Sequence, residues 1–395
     1  MAHRNMILTR KRASETNLIQ SEKGKLARES ADNINNLPED LIMEIFARFP
    51  MKYLARFRCV CKHWHSSLTN PEFTTNHAIR VQENPNAQKV VCFCFKSSLY
   101  RVNLDKRIMF DVNNPSANNK EIALPIDTRL PHTILGSCNG LIFVSYGRQK
   151  FYLLNPLTGE SRHVFNFILG GIKPEIKFAF GYDSSTKDYK IIRFRLYEPY
   201  RLWVFSLKKN SWRKPKSEDT PKQVIPDDLI TRQAVQVGGF LHWQVASPNP
   251  DSILTFDLAQ EKFGELINIP RDPNEEARVI GVSVLDGCLC ITRKSTDYAQ
   301  VCSIWAMKEY GVAESWTKLI SLKALRPDTT YVFDSQLFPM CYIKKGRVLL
   351  LQNFCKIILY DLEMESFREL RMPGARGCLE VMMTSYVESL VSPKL

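Results

Sequence analysis

The chain has 395 residues, of which 44% are hydrophobic, 11% aromatic and 24% charged, so it can bury a sizeable core and wholesale disorder is excluded. A formal charge of +13 would suit nucleic acid, an anionic membrane or an acidic partner, yet outside Arg10-Lys11-Arg12 the cations are scattered singly or in pairs, with no nucleic-acid motif beside them. No stretch approaches the roughly 20 apolar residues of a membrane span, and the short apolar run near the start is flanked by charge, unlike a secretory leader.

Residues 1–33 are polar and aperiodic, and are expected to form a mobile basic arm. From Asn36 to Phe73 the texture is helical. Leu37, Leu41, Ile42, Ile45 and Phe46 fall at helical spacing, Asn36 suits a cap, Pro38 suits a first turn, and Glu39 and Asp40 place negative charge at the positive end of the helix dipole. Pro50 cannot continue that helix, so the chain must turn near Phe49. A second stripe, Leu54, Phe57, Val60, Cys61, Trp64 and Leu68, runs on until Asn70-Pro71. The block is therefore two or three short amphipathic helices, too small to bury their apolar faces without a partner surface.

Beyond about residue 88 the pattern alternates. "VVCFCF", "LIFVSY", "YKIIRF", "GFLHWQV", "CLCIT" and "RVLLLQ" are strand-length, rich in Val, Ile, Phe and Tyr, and bounded by Gly, Asn and Asp. A longer period lies over them: strand, polar turn, then a strand opening on a bulky residue, marked by Phe110, Arg162, Trp212, Phe263, Trp316 and Phe367. These marks recur about every 50 residues, the period of kelch-type propeller blades. Asn139-Gly140, Gly238-Gly239, Asp286-Gly287 and Lys345-Gly346 supply the positive φ of tight turns. A plain β-sandwich with recurring hairpins is the alternative architecture.

Catalytic chemistry finds little support. Gly136-Ser-Cys-Asn-Gly140 has the spacing of a Cys nucleophile elbow, but a strand follows where a helix is needed, so an Asn-Gly hairpin is expected instead. Cys59 and His63 have i, i+4 spacing, yet two ligands do not make a metal site. Gly170-Gly171 lacks the Lys-Ser/Thr of a phosphate loop, and neither a metal nor a cofactor is expected. The 11 cysteines include Cys59-x-Cys61, Cys92-x-Cys94 and Cys288-x-Cys290, a spacing that suits buried strand thiols in a reducing compartment. The lone Asn-x-Ser/Thr, Asn114-Pro115-Ser116, is disqualified for glycosylation by its Pro, so the cytoplasm and/or nucleus is expected. His242-Trp243 and the aromatics Tyr197, Tyr200 and Trp203 either line a binding surface or fill the core. Propellers bind with loops at one end of the channel, which brings in Leu196–Arg201, including Arg201, and Arg213–Asp228.

The opening block resembles an F-box: Leu37-Pro38, Ile45-Phe46, Pro50 with Leu54, then Arg56, Arg58, Val60, Cys61-Lys62 and Trp64, with Pro71-x-Phe73 at the exit. The remainder is similar to the F-box-associated domain of plant F-box proteins, through "GSCNGLIFV", "LLNPLTGESR", "FGYDSSTKDYKIIRF", "GGFLHW", "ILTFDL", "SIWAMKEYG", "SWTKL" and "YVESLVSP". The resemblance implies an arm at 1–33, an all-α F-box of three helices at 34–77, and an all-β, kelch-like propeller of about six degenerate units at 78–395. It also implies a non-catalytic substrate receptor of a Skp–cullin–F-box ubiquitin ligase. The F-box would dock on a Skp-type adaptor, and through it a cullin, by Leu37, Pro38, Ile45, Pro50, Leu54, Val60, Cys61 and Trp64; Ile45, Phe57 and Leu68 are the expected internal residues. The C-terminal domain would capture a protein target, with Tyr197, Tyr200, Arg201, His242 and Trp243 as candidate contacts. A scaffold working outside a ligase, and a kelch-type glycan binder or oxidase, are the competing readings.

Overall fold

The computed structural model describes residues 37–82, 88–94, 98–102, 119–122, 132–147, 149–167, 176–195, 201–215, 230–245, 252–269, 277–295, 300–323, 337–343, 346–352, 356–370 and 383–394. The expected basic arm and Phe110 lie outside them. Contacts divide the chain into two compact units, one ending at Leu68 and the other running from Thr69 to the C-terminus.

The first unit is helical. Helix α1 (Glu39–Arg48) starts at Pro38, α2 (Met51–Phe57) starts at Pro50, and α3 (Lys62–Thr69) follows a turn. Phe49 is extended, at φ −81° and ψ 142°, because the ring of Pro50 excludes helical geometry from the residue before it. The second apolar stripe is not one helix: α2 ends at Phe57, and Val60 and Cys61 lie in the turn. Cys61 marks the restart, its Sγ accepting the Trp64 amide at 3.4 Å in the manner of an N-cap. Phe46, Met51, Leu54 and Leu68 are buried. Trp64 sets its edge against Phe46 at 4.9 Å and Phe57 at 5.8 Å, and Phe57 meets Phe49 at 5.3 Å. Glu39 ties α1 to α3, accepting from Ser67 Oγ at 3.2 Å and facing His63 Nε2 at 3.5 Å.

The second unit is a β-propeller preceded by one helix. Among the described residues its strands form six antiparallel sheets. The first joins β1 (Gln88–Cys94), β2 (Ser98–Val102) and β3 (Asn119–Ile122) to the last strand of the chain, β25 (Met383–Val387), in the order β25-β1-β2-β3. The second runs β4 (His132–Cys138), β5 (Leu141–Tyr146), β6 (Lys150–Leu154), β7 (Ser161–Asn166). The third runs β8 (Lys177–Asp183), β9 (Asp188–Arg195), β10 (Arg201–Ser206), β11 (Ser211–Arg213). The fourth has β12 (Ile230–Val237), β13 (Phe240–Val245), β14 (Ser252–Asp257) and β15 (Lys262–Phe263), with β16 (Ile267–Asn268) also on β14. The fifth runs β17 (Ala277–Leu285), β18 (Cys288–Ser295), β19 (Gln300–Met307), β20 (Trp316–Lys323), and the sixth β21 (Leu337–Ile343), β22 (Arg347–Gln352), β23 (Lys356–Asp361), β24 (Ser366–Leu370). The inner strands β25, β4, β8, β12, β17 and β21 touch in that cyclic order, closing a ring.

The repeat seen in the sequence now has a physical cause. Arg162, Trp212, Phe263, Trp316 and Phe367 all sit at the start of a sheet's fourth strand. The turn before it is built alike in three sheets: Asn155, Asp257 or Asp361 accepts the amides two and three residues on, at 2.8–3.3 Å. A residue at positive φ (Gly159, Glu261 or Glu365) then redirects the chain. The elbow-like "GSCNG" is a two-residue hairpin between β4 and β5, with Asn139 at φ 47° and Gly140 at φ 83°. Apolar clusters fill the space between neighbouring sheets, such as Phe143, Phe151, Phe178 and Phe205 between the second and third, and Phe194, Val204, Trp243 and Phe256 between the third and fourth.

Two devices hold the ring. Helix α4 (Pro71–Gln82) belongs to this unit by packing, with Ala78 in the core between the second and third sheets and Glu72 on Lys187 at 2.6 Å; Pro71–His77, at the end of the expected F-box span, thus pack with the propeller. The tail after β25 is locked by Asn155, whose Nδ2 donates to Ser389 O at 2.9 Å and Val391 O at 2.8 Å, while Ser389 Oγ donates to Asn139 O at 2.7 Å. Between the third and fourth sheets lies a buried ion cluster. Lys190 Nζ, 3% exposed, reaches Asp183 Oδ2 and Glu261 Oε1 at 2.7 Å each and Leu258 O at 2.6 Å, and Arg213 also pairs with Glu261. Burial pushes the Asp183 carboxyl up, but donors from Lys190, Thr186 and Ser185 outweigh it and hold its pKa at about 2.

Candidate functional site

The helical unit hides one apolar face and displays another. Phe46 is 3% exposed, whereas Ile45, its neighbour, is 45% exposed. Leu41 and Ile45 fall at i and i+4 on α1, with Phe49 following at its C-cap, and Leu37, Tyr53 and Val60 add to the exposed apolar surface of this unit. Six of the eleven exposed large hydrophobics among the described residues lie in these 24 positions, a density that marks an interaction surface.

The expected adaptor contacts divide accordingly. Leu37, Pro38, Ile45, Pro50, Val60 and Cys61 are exposed, and Trp64 is half-buried in the ring cluster. Leu54 is fully buried and holds the helices together, so its side chain cannot meet a partner. Ile45, expected to be internal as well, is displayed, and Phe46 takes the internal place because it points one residue further round the helix toward Trp64. Leu41, Phe49 and Tyr53 were not among the expected contacts, although the i, i+4, i+8 spacing of Leu41, Ile45 and Phe49 was there to read.

The propeller residues separate more sharply. Tyr197 and Tyr200 lie outside the described residues. Arg201 opens β10 and is exposed. His242 and Trp243 are 0% and 1% exposed and offer nothing to a target. Strand β13 is covered on both faces by neighbouring sheets, so alternation no longer separates inside from outside. Trp243 meets Phe194 at 5.2 Å edge-on; His242 lies within hydrogen-bond distance of Tyr310 Oη, 2.8 Å from its Nε2, and of Val235 O, 3.3 Å from its Nδ1. Burial draws the His242 pKa down to about 4, so it is neutral at ordinary pH.

Burial pushes Cys138, Cys290 and Cys302 up to about 12, which removes their thiolates, and no group of three potential metal ligands occurs among the described residues.

Comparison with known families matches residues 34–76 to the F-box domain and residues 89–393 to the F-box associated beta propeller domain. This chain is a propeller-bearing F-box protein. It is 30% identical to the F-box protein CPR1 of Arabidopsis thaliana over 367 residues, covering 85% of this chain and 84% of that one. It is 26% identical to the F-box/kelch-repeat protein At3g23880 of the same plant over 371 residues, covering 91% and 96%. The exposed stripe of α1 therefore lies in the F-box, and the six sheets, with the tail that closes them, lie in the associated propeller.

Proposed function

We propose that this F-box protein is the substrate receptor of a Skp–cullin–F-box ubiquitin ligase. Its F-box binds a Skp-type adaptor, and its propeller, each sheet serving as one blade, holds a protein target for ubiquitination. The observation that carries this reading is the exposed apolar row of Leu41 and Ile45, continued by Phe49 at the C-cap, on a helix whose opposite side already holds the unit together. Such a stripe fits the helix-in-groove mode, in which apolar anchors at helical spacing enter a groove of the partner. The chain itself supplies no chemistry; it raises the concentration of its target near the charged ubiquitin carrier. A reducing compartment, cytoplasm or nucleus, suits its exposed Cys59 and Cys61.

The test is capture of the full chain by a purified Skp-type adaptor. Wild type is retained, and Ile45→Glu with Leu41→Glu is lost although its melting temperature is unchanged. Retention of the double variant at wild-type affinity refutes the docking surface. Adaptor binding without ubiquitin-dependent turnover of any propeller-bound protein favours the scaffold reading instead.

A further inference from the structure

The third sheet gathers several cations around its β9–β10 hairpin. Arg195 and Arg201 are directly opposed across the β9–β10 ladder, as are Arg193 and Trp203. Like charges opposed in this way destabilise a sheet. The Arg193 guanidinium lies 5.3 Å from the Trp203 ring, 5.1 Å from Trp212 and 5.6 Å from Phe167, and Lys214 Nζ lies 5.7 Å from Trp203. Burial, and then the charge of Arg201, draws the Arg193 pKa below its usual value. Among the described residues no carboxylate stands within ion-pair distance of Arg193, Arg201 or Lys214. Arg201 and Lys214 are exposed and Trp203 is half-exposed.

Position adds to chemistry. Strands β9 and β10 run between two ends of the sheet. At one end the Asp183–Asp188 turn is tied to α4 through Lys187 and Glu72. Arg195 and Arg201 lie at the other end, away from the helix and the locked tail. The cluster thus stands at the end of the third sheet opposite the α4 contact, with Phe167, which packs on the core between the second and third sheets, beside Arg193.

We propose that this cluster binds an acidic peptide segment of the protein target, with Arg201 and Lys214 taking carboxylates and Trp203 stacking against a side chain between them. This rests on the reading of the propeller as the target-binding domain and gives that target a chemistry. A peptide fits better than nucleic acid because the cations gather around one hairpin and one aromatic face, whereas a nucleic-acid strand needs a track of cations along many phosphates.

The experiment titrates purified full chain into a fluorescein-labelled peptide of alternating Glu and Phe, the same peptide with Gln for Glu, and a labelled single-stranded oligonucleotide, reading anisotropy at low and physiological salt. The acidic peptide binds and weakens with salt, and the Gln peptide does not bind. Arg201→Glu with Lys214→Glu lowers affinity by about tenfold or more at an unchanged melting temperature, consistent with loss of charge complementarity. Trp203→Leu weakens both acidic binding and its residual at high salt. Equal binding of the Glu and Gln peptides, indifference to the charge-reversal pair, or tighter binding of the oligonucleotide overturns the proposal. Adaptor capture measured on the same preparation is independent of all three results, so failure here is separable from failure of the ligase reading.

Discussion

Lys190→Met tests the ion cluster between the third and fourth sheets. The side chain is 3% exposed and its ammonium has three partners within 2.7 Å, two of them the buried carboxylates Asp183 and Glu261. With Arg213, the cluster holds two cations and two anions, so removing Lys190 leaves Asp183 without a counter-charge at 2% exposure. Breaking a buried pair by deleting one partner costs about 3–5 kcal/mol, because the survivor stays desolvated. For a domain of this size that corresponds to a fall on the order of 5–10 °C in melting temperature. The pH dependence gives a second readout. In the wild type the Asp183 pKa is depressed to about 2, so its contribution is complete above the unfolded value near 3.8 and is lost as pH falls from about 4 to about 2. In the variant, burial acts unopposed by Lys190 and raises that carboxyl, so acid protonates and relieves it. The gap between the two melting temperatures is therefore widest at pH 7 and narrows toward pH 4. Scanning calorimetry at both values measures it, and Asp183→Asn in the Lys190→Met background recovers part of the loss at pH 7. A gap below about 2 °C, or one that widens in acid, refutes the argument.

Three further outcomes follow from packing. Asn155→Ala removes two hydrogen bonds to the tail carbonyls and two to its own turn, costs about 1–3 kcal/mol, and makes the C-terminus cleavable in limited proteolysis. Gly140→Ala forces φ 83° on a side chain that would strike Ser389, whereas Gly159→Ala, at φ 74° with open space around it, costs only about 1 kcal/mol of backbone strain; thermal melts order the two. Phe46→Ala lowers F-box stability by about 3–5 kcal/mol by opening a cavity under Trp64, while Ile45→Ala changes it by less than about 0.5, as read by helical circular dichroism against urea.

What the sequence disclosed depended on how local the cause was. Pro38 and Pro50 mark helix starts through their own rings, so the first two helices were legible, whereas Pro71, read as a stop, opens a fourth helix that packs on the propeller. The period near 50 was legible because each repeat contains a capped turn whose donors and acceptors lie two and three residues apart. The pairing of Val90 with Ser385, which closes the ring, was not legible, since nothing local joins strands separated by most of the chain. Nor was the side of α1 that faces inward. Ile42 and Phe46 lie one residue along from Leu41 and Ile45, so both stripes satisfy a helical period and only Trp64 and Phe57 decide between them. His242 and Trp243 read as surface candidates because alternation assumes one wet face, and β13 has none.

The same locality gives the two ends of the propeller different commitments. Turns between first and second strands, and between third and fourth, lie at the end that carries α4 and the tail. There Asn155, Asp257 and Asp361 spend their side chains on backbone amides, and Gly140 and Ser389 lie in close approach. Groups whose hydrogen bonds are already made locally gain nothing from a partner, so variation there changes stability. Arg201 and Lys214 have no such commitments among the described residues, and Arg201 stands at the end of the β9–β10 ladder away from the Asp183–Asp188 turn. A charge with no internal partner keeps its full hydration and long-range field until a complementary group arrives, which is the condition for a residue to govern binding without governing folding. Substitutions at the two ends should therefore separate cleanly, melting temperature following the Asx turns and target affinity following the third-sheet cations.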